Sequence, residues 1–393
     1  MAEADVEQAA AVQVEAFGGV LADAVGRYHS GARYTWRDAW VVERDGEIGA
    51  AAIVIPLTWW FRGCSYAIGA VAGVAVRPVD RRRGLASQLM RAILADDCQR
   101  GRAYSLLYPF QHGFYRRLGY GSVGLMHFFR LPIAYLRDEP DLRSRVRLLR
   151  EADRPAVEAL FARSLRASAA GGLERPAVHW QRRWTQEDGW VVYAEGDEIS
   201  GYLAYRTAPN TLEVRELVAA RSEAERGLWS FVAAQVEQRV SVTLHAEVGK
   251  PLWALLREPY MFEGPQHGFI INDVAGLTMS FMARGIDWTA ALEGRTFPPG
   301  VQGRLSVQLD DVVFGPQGFV LEVDAGHARV QAVGSDDADV RCEAATFSQL
   351  CCGALSASQA RWYGLLEASD ATVALLEKSF PFGPPFIHQF DWF

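Results

Sequence analysis

The sequence has no apolar run near the roughly 18 residues that a membrane-spanning helix requires. Its N-terminus, MAEADVEQAAAVQVEAF, carries acids and no basic segment, so no secretory leader is expected. Cysteine is scarce. Five residues at 64, 98, 342, 351 and 352 make an odd set without CxxC spacing. That excludes a disulfide framework and predicts reduced thiols in a cytoplasmic protein. The eight histidines are scattered, with no HExxH and no paired spacing, so no metal is expected. Positive charge is in deficit: 40 basic against 47 acidic residues give −7. That balance weighs against nucleic acid as the partner and is compatible with a cationic substrate.

Half of the 393 residues are apolar. A chain of this length can bury several cores, and at roughly 100–200 residues per domain it holds two to four domains. The pattern predicts a mixed α/β order. ADVEQAAAVQVEAFGG has helical periodicity and stops at paired glycines. Trp40–Arg44, the Asp45-Gly46 turn and the stretch from Glu47 to Pro56 read as a hairpin. SYAIGAVAGVAVRP is a further strand, Arg83 to Arg100 a helix, and AYSLLYPF a strand. HGFYRRLGYG is a short helix ending at Gly119, and SVGLMHFFRLP a last strand stopped by Pro132.

The order then repeats. EADRPAVEALFARSL from Glu151 echoes EADVEQAAAVQVEAF from Glu3, and GDEISGYLAYR from Gly196 echoes GEIGAAAIVI from Gly46. LVAARSEAERGLWSFVAAQV from Leu217 echoes VAVRPVDRRRGLASQLMRAI from Val74. The offsets are all about 150 residues, the last slightly shorter. From Asp287 the texture changes. RLSVQLDD, GFVLEVD and HARVQAV alternate apolar and polar residues, and three helical segments follow, which predicts a small α+β domain.

The segment DRRRGLASQLM at Asp80 carries the chemistry. It joins a strand, VAGVAVRP, to a helix. A helix N-terminus presents unpaired N–H groups and favourable dipole potential, and a Gly-x-Ala turn lets a phosphate approach the backbone. An ordinary surface helix start could also display solvated arginines; the preceding strand and following helix favour the anion site. In the second copy, Arg81 to Ala86 become Ala224, Glu225, Arg226, Gly227, Leu228 and Trp229. Glu225 adds negative charge and Trp229 adds bulk, and both oppose an anion. The second copy is therefore expected to be scaffold and pocket wall.

V-x-V-x-P followed by Arg81-x-x-Gly84-x-Ala86, FYRRLGYG at Phe114 and a chain ending in DWF resemble the Eis (enhanced intracellular survival) family of GNAT N-acetyltransferases. The resemblance implies two tandem GNAT-like domains, catalytic over 1–132 and degenerate over 133–286. A sterol-carrier-protein-like α+β domain then follows over 287–393. It implies acetyl-CoA as co-substrate, held by Val74, Ala75, Val76, Arg81, Arg82, Arg83, Gly84, Leu85, Ala86 and Ser87, with the Val76 N–H as oxyanion donor. It implies Tyr115 as the acid that re-protonates the leaving thiolate; Tyr120, between Gly119 and Gly121, suits a packing role. The base it implies is the α-carboxylate of Phe393, at the end of the apolar tail PPFIHQFDWF.

For the acceptor, Trp36 and Trp40 are expected to form cation–π walls, and Asp38 and Asp391 to supply negative charge. Trp59, Trp60 and Phe61 suit a pocket or a core equally. The expected acceptor is an amine of a cationic small molecule, aminoglycoside- or polyamine-like, or a lysine. The resemblance further implies a homo-oligomer, a trimer or a hexamer. No nucleic-acid or membrane partner is expected. A lipid-binding protein with an inactive first domain is the alternative, and the intact arginine loop disfavours it.

Overall fold

The computed structural model describes residues 1–186, 188–258, 273–334 and 338–393. Local signals in the first third give the expected elements. The helix Val6–Phe17 ends at Gly18 with φ 78°. Asp45 and Gly46, both at positive φ, turn the strand Ala39–Arg44 into Glu47–Phe61, as a two-residue hairpin turn requires. Strands Glu47–Phe61 and Cys64–Val76 are long and pair antiparallel. Gly119, at φ 85°, closes the short helix His112–Arg116. A Cβ there would lie 1.8 Å from the Arg284 guanidinium, so only glycine fits.

The first sheet runs Ala39–Arg44, Glu47–Phe61, Cys64–Val76, Tyr104–Leu107, Met282–Gly285, Gly121–Ser122. The helix Leu85–Gln99 packs on one face through Leu89, Met90, Ile93 and Leu94. The N-terminal helices Val6–Phe17 and Leu21–Ser30 contribute to the core on the other face. The far ends of the two long strands, from Trp59 to Ile68, merge with the core of the C-terminal domain around Phe297, Phe347 and Ile387.

Sequence periodicity placed the strand at 125–132 last in the first module. Instead, Leu125–Pro132 pairs with Ser241–Glu247 and Gly276–Met279 in the second sheet, and Met282–Gly285 takes a place in the first. The two modules have exchanged strands. Short apolar segments carry no mark of which sheet they join, because that is decided by pairing over long sequence distances.

The second sheet continues through Thr211–Ala219, Glu198–Ala208, Gly189–Glu195 and Val146–Leu148. The C-terminal domain has a five-stranded sheet, with Gly303–Asp310 central. Its core is filled by Trp288, Phe319, Phe347, Phe380 and Phe297 in mutual ring contact. The fold is mixed α+β, with two modules of one kind followed by a third of another.

Candidate active site

Strands Cys64–Val76 and Tyr104–Leu107 run parallel only from Ile68 to Val71, after which the second strand ends and the first continues. A wedge opens between them. Two residues, Gly73 and Val74, stand against the single Ala52 of the neighbouring strand, which makes a bulge. Gly73 has φ 58°, and its carbonyl accepts from Gln13 Nε2 at 3.3 Å. The bulge re-aims the strand beyond it. Arg77 N donates to Gly49 O at 3.0 Å. By the alternation of an antiparallel ladder, Ala75 also faces that neighbour, whereas Val74 and Val76 turn their N–H and C=O toward the open wedge.

A cavity of about 760 Å³ fills this wedge, lined by Val74, Ala75, Val76, Arg81, Arg82, Gly84, Leu85, Ala86 and Ser87, with Phe17, Phe110, Phe114 and Arg117 opposite. Gly84 caps the helix Leu85–Gln99 at φ 83°, with no side chain satisfying the first turn. The N–H groups of that turn are therefore free to meet an anion. A Cβ on Gly84 would meet no protein atom within 4 Å, so the space it borders is open. Arg83 differs from its neighbours. It lies outside the cavity lining and pairs with Asp80 at 3.5 Å.

Tyr115 sits behind this surface. It is 2% exposed and packs edge-on to Phe110, Phe114 and Tyr120. Burial pushes its hydroxyl above the usual tyrosine range, so it stays protonated at neutral pH. The Tyr120 hydroxyl is fully enclosed and shares a 2.8 Å hydrogen bond with Ser105, the packing role expected of it.

The C-terminal tail crosses back to the first module. The Phe393 ring packs edge-on to Tyr108 at 5.0 Å, and Trp392 contacts the same ring at 6.1 Å. Arg33 Nη2 donates to the Trp392 carbonyl at 2.6 Å. Tyr115 and Phe393 are not in ring contact. The segment from Tyr108 to Phe110 touches the tail at one end and Tyr115 at the other. Tyr108 was missed by sequence reading. Its only signal is a tyrosine before a proline at the end of an apolar strand.

The second module holds the tail. Arg175, fully buried, donates to Asp391 through Nε and Nη2 at 2.7 Å each, and to Glu216 at 3.0 and 2.5 Å. Tyr202 donates to Glu216 at 2.8 Å, and His388 lies 3.5 Å from it. Burial opposes the charge on Glu216, but Arg175 and His388 outweigh it and hold the carboxyl below its ordinary range.

The acceptor expectations fare differently. Trp36 packs beside the N-terminal helices, whereas Trp40 packs toward the helix Leu85–Gln99, so the two do not form one wall. Aromatic composition does not tell which face of a sheet a ring will take. Asp38 accepts from the Thr35 backbone and hydroxyl. Asp391 is committed to Arg175. Trp59 is a core residue stacked on Phe61, and Trp60 donates to Glu174 at 3.1 Å. Among the described residues, no cluster of three or more metal-ligating side chains occurs and no helix could cross a membrane.

With this geometry in view, residues 1–123 match the acetyltransferase (GNAT) domain family. Residues 171–278 match a second acetyltransferase (GNAT) domain family, and 289–388 match the sterol carrier protein domain. A Streptomyces griseus protein described as an uncharacterized N-acetyltransferase is 26% identical over 295 residues, 68% of each chain. The N-acetyltransferase Eis of Mycobacterium tuberculosis is 29% identical over 192 residues, 44% of this chain and 47% of its own. A GCN5-related N-acetyltransferase from Kribbella flavida superimposes with TM-score 0.79 and 26% identity, over 100% of this chain and 97% of that one. These domain matches and relatives support a GNAT-type N-acetyltransferase. Within that class, two GNAT domains followed by a sterol-carrier-like one, together with the Eis relatives, support an Eis-like protein.

Proposed function

We propose that the first cleft takes acetyl-CoA and passes its acetyl group directly to an amine of a cationic small molecule or a lysine. The observation that carries this reading is the conjunction at one cavity of an open strand edge, a free helix N-terminus and three arginines, Arg81, Arg82 and Arg117. The amine nitrogen forms a bond to the acetyl carbon as the carbon–sulfur bond breaks. The Val76 N–H supports the developing oxyanion. The amine proton passes to the Phe393 carboxylate, directly or through water, and the thiolate takes a proton from Tyr115. Phe110 and Phe114 cover Tyr115, so its part requires them to yield when the cleft fills. Glu174 borders the narrow gap beside Phe393 together with Asp391, Arg33 and Arg183, and is the carboxylate there that an acceptor amine would meet, since Asp391 is held by Arg175.

The proposal includes a homo-oligomer, a trimer or hexamer. The edge strand Gly276–Met279 exposes Leu277 and Met279, an apolar edge suited to burial against another copy. Lipid binding by the C-terminal domain is disfavoured by its ring-filled interior. The 250 Å³ cavity there is lined by Gln308, Asp310, Arg341 and Glu343, a poor match for a lipid. Calorimetric titration with acetyl-CoA tests the reading, followed by acetylation assays on polyamines, aminoglycosides and lysine peptides. Absence of both binding and turnover would refute it.

A further inference from the structure

The second module keeps a cleft of its own. Strands Thr211–Ala219 and Ser241–Glu247 pair in parallel only from Thr211 to Val214 against Ser241 to Leu244, and then part. The offset that places Arg83 on Arg226 places Val71 on Val214. The two wedges therefore open at the same point. A bulge recurs nearby at Arg215. Ala220 N donates to Ser200 O at 2.8 Å, so Val218 faces the neighbouring strand, and Leu217 and Ala219 turn their N–H and C=O to the open side. Under the same offset, Leu217 and Ala219 are the counterparts of Val74 and Val76. The edge that takes a ligand in the first module is thus preserved as backbone in the second.

A cavity of about 470 Å³ lies along this edge. Its wall includes Trp229, which is 3% exposed and whose indole N–H has no hydrogen-bond partner. That N–H is closed off from the cavity as the ring stands, so a ligand oxygen recovers the cost of the unpaired donor by turning the indole toward it. The charges around the cavity are mostly spent. Glu225 pairs with Lys250 at 2.9 Å, Arg215 with Glu213 at 2.8 Å, and Glu216 with Arg175. Glu247 has no ion-pair partner among the described residues. An anion therefore meets no free cation there.

We propose that this second cleft binds an extended, phosphate-free chain bearing secondary amides, which adds as a strand along Leu217–Ala219 and gives a carbonyl to the Trp229 indole. Two sources share that chemistry, a short peptide and a pantetheine-type arm. The experiment uses the full-length chain with its tryptophan indoles labelled with nitrogen-15, and the Trp229 signal assigned by its loss in Trp229→Phe. N-acetyl-tetraalanine-amide and pantetheine are titrated separately, each to about 10 mM. The expected result is a saturable shift of the Trp229 signal with at least one probe, and which probe gives it identifies the source. Acetyl-CoA should leave that signal in place. Trp229→Phe keeps an aromatic ring but removes the pyrrole part of the indole with its N–H, so binding of the active probe, read by calorimetry, should weaken by at least about 3–10-fold, the effect of one hydrogen bond. No saturable shift with either probe would overturn the proposal, as would an equal shift with acetyl-CoA. If Trp229→Phe does not fold, a crystal of the native chain soaked in the probe decides. Density along Leu217–Ala219 supports the proposal, and none refutes it. Acetyl transfer by the first cleft is a separate readout, so failure here leaves that reading untouched.

Discussion

The two clefts of this chain are one backbone device with two different rims. Each opens where a parallel pair ends, at Val71 and at Val214, and each turns alternate amides of the longer strand toward the gap. At the rim they part ways. The first has Arg81 and Arg82 before a glycine-capped helix. The second has Glu225 locked to Lys250, and an indole fills part of the approach. Strand splay is fixed by pairing and bulge, so it survives substitution of rim residues. Anion affinity depends on a few side chains and is lost with them. The second module has another duty, because Glu216 on its strand holds Arg175, and Arg175 holds the tail.

The sharpest way to break this comparison is at Gly84. Gly84→Glu puts bulk and negative charge at a residue with φ 83° facing open space, and acetyl-CoA binding should be abolished. The native chain should titrate with one acetyl-CoA per chain, and two sites would erase the distinction drawn at the rims. Next is Arg175→Met, which leaves Glu216 and Asp391 buried without their partner. Breaking such a buried cluster costs about 3–5 kcal/mol, readable in denaturant unfolding. Turnover should fall along with it, as the tail is released; unchanged stability would mean that the second module does not hold the tail through this residue.

Amidating the terminus by semisynthesis keeps the Phe393 ring and removes its charge. It should cut turnover by about 100-fold or more, with melting temperature and acetyl-CoA affinity nearly constant. Full activity in the amidated chain would make the tail purely structural. Tyr115→Phe should keep acetyl-CoA affinity and lose at least about tenfold in turnover. Because burial raises the Tyr115 pKa, its acid form persists as pH rises. The native rate should show no alkaline fall up to about pH 10, the ordinary tyrosine value. A fall beginning near pH 8 would place the acid elsewhere. The smallest effect is expected at the bulge. Gly73→Ala at φ 58°, with Gln13 Nε2 2.7 Å from the new Cβ, should cost about 1–2 kcal/mol. A neutral result would show that the strand reaches its open edge without the bulge.

The first rim was legible because its signal is local. Arginines, a glycine and a helix start lie within a few residues, and the second rim was read as damaged from Glu225 and Trp229 alone. The cleft beneath that damage was not legible, since strand splay is a matter of which residues find partners across the sheet. The same holds for the bulge, which a glycine among alanines and valines does not announce. Tyr115 was singled out through the resemblance of FYRRLGYG. Its cover by Phe110 and Phe114 was not, because helix-to-strand packing decides it. Trp36 and Trp40 were read together for their chemistry and are separated by the sheet.

The strand Met282–Gly285 lies in the first sheet between Tyr104–Leu107 and Gly121–Ser122, although the whole second module separates it from both in sequence. During synthesis the first sheet must therefore wait. With residues 1–132 emerged from the ribosome, Tyr104–Leu107 has an exposed edge, and the residues that will cover it have not been translated. At roughly 5–20 residues per second that interval lasts on the order of ten seconds, long enough for an open edge to find the wrong partner. A fragment ending near residue 132 carries the complete arginine loop and still lacks a strand of the sheet that supports it. The loop and the sheet become one working unit only when the second module is also made.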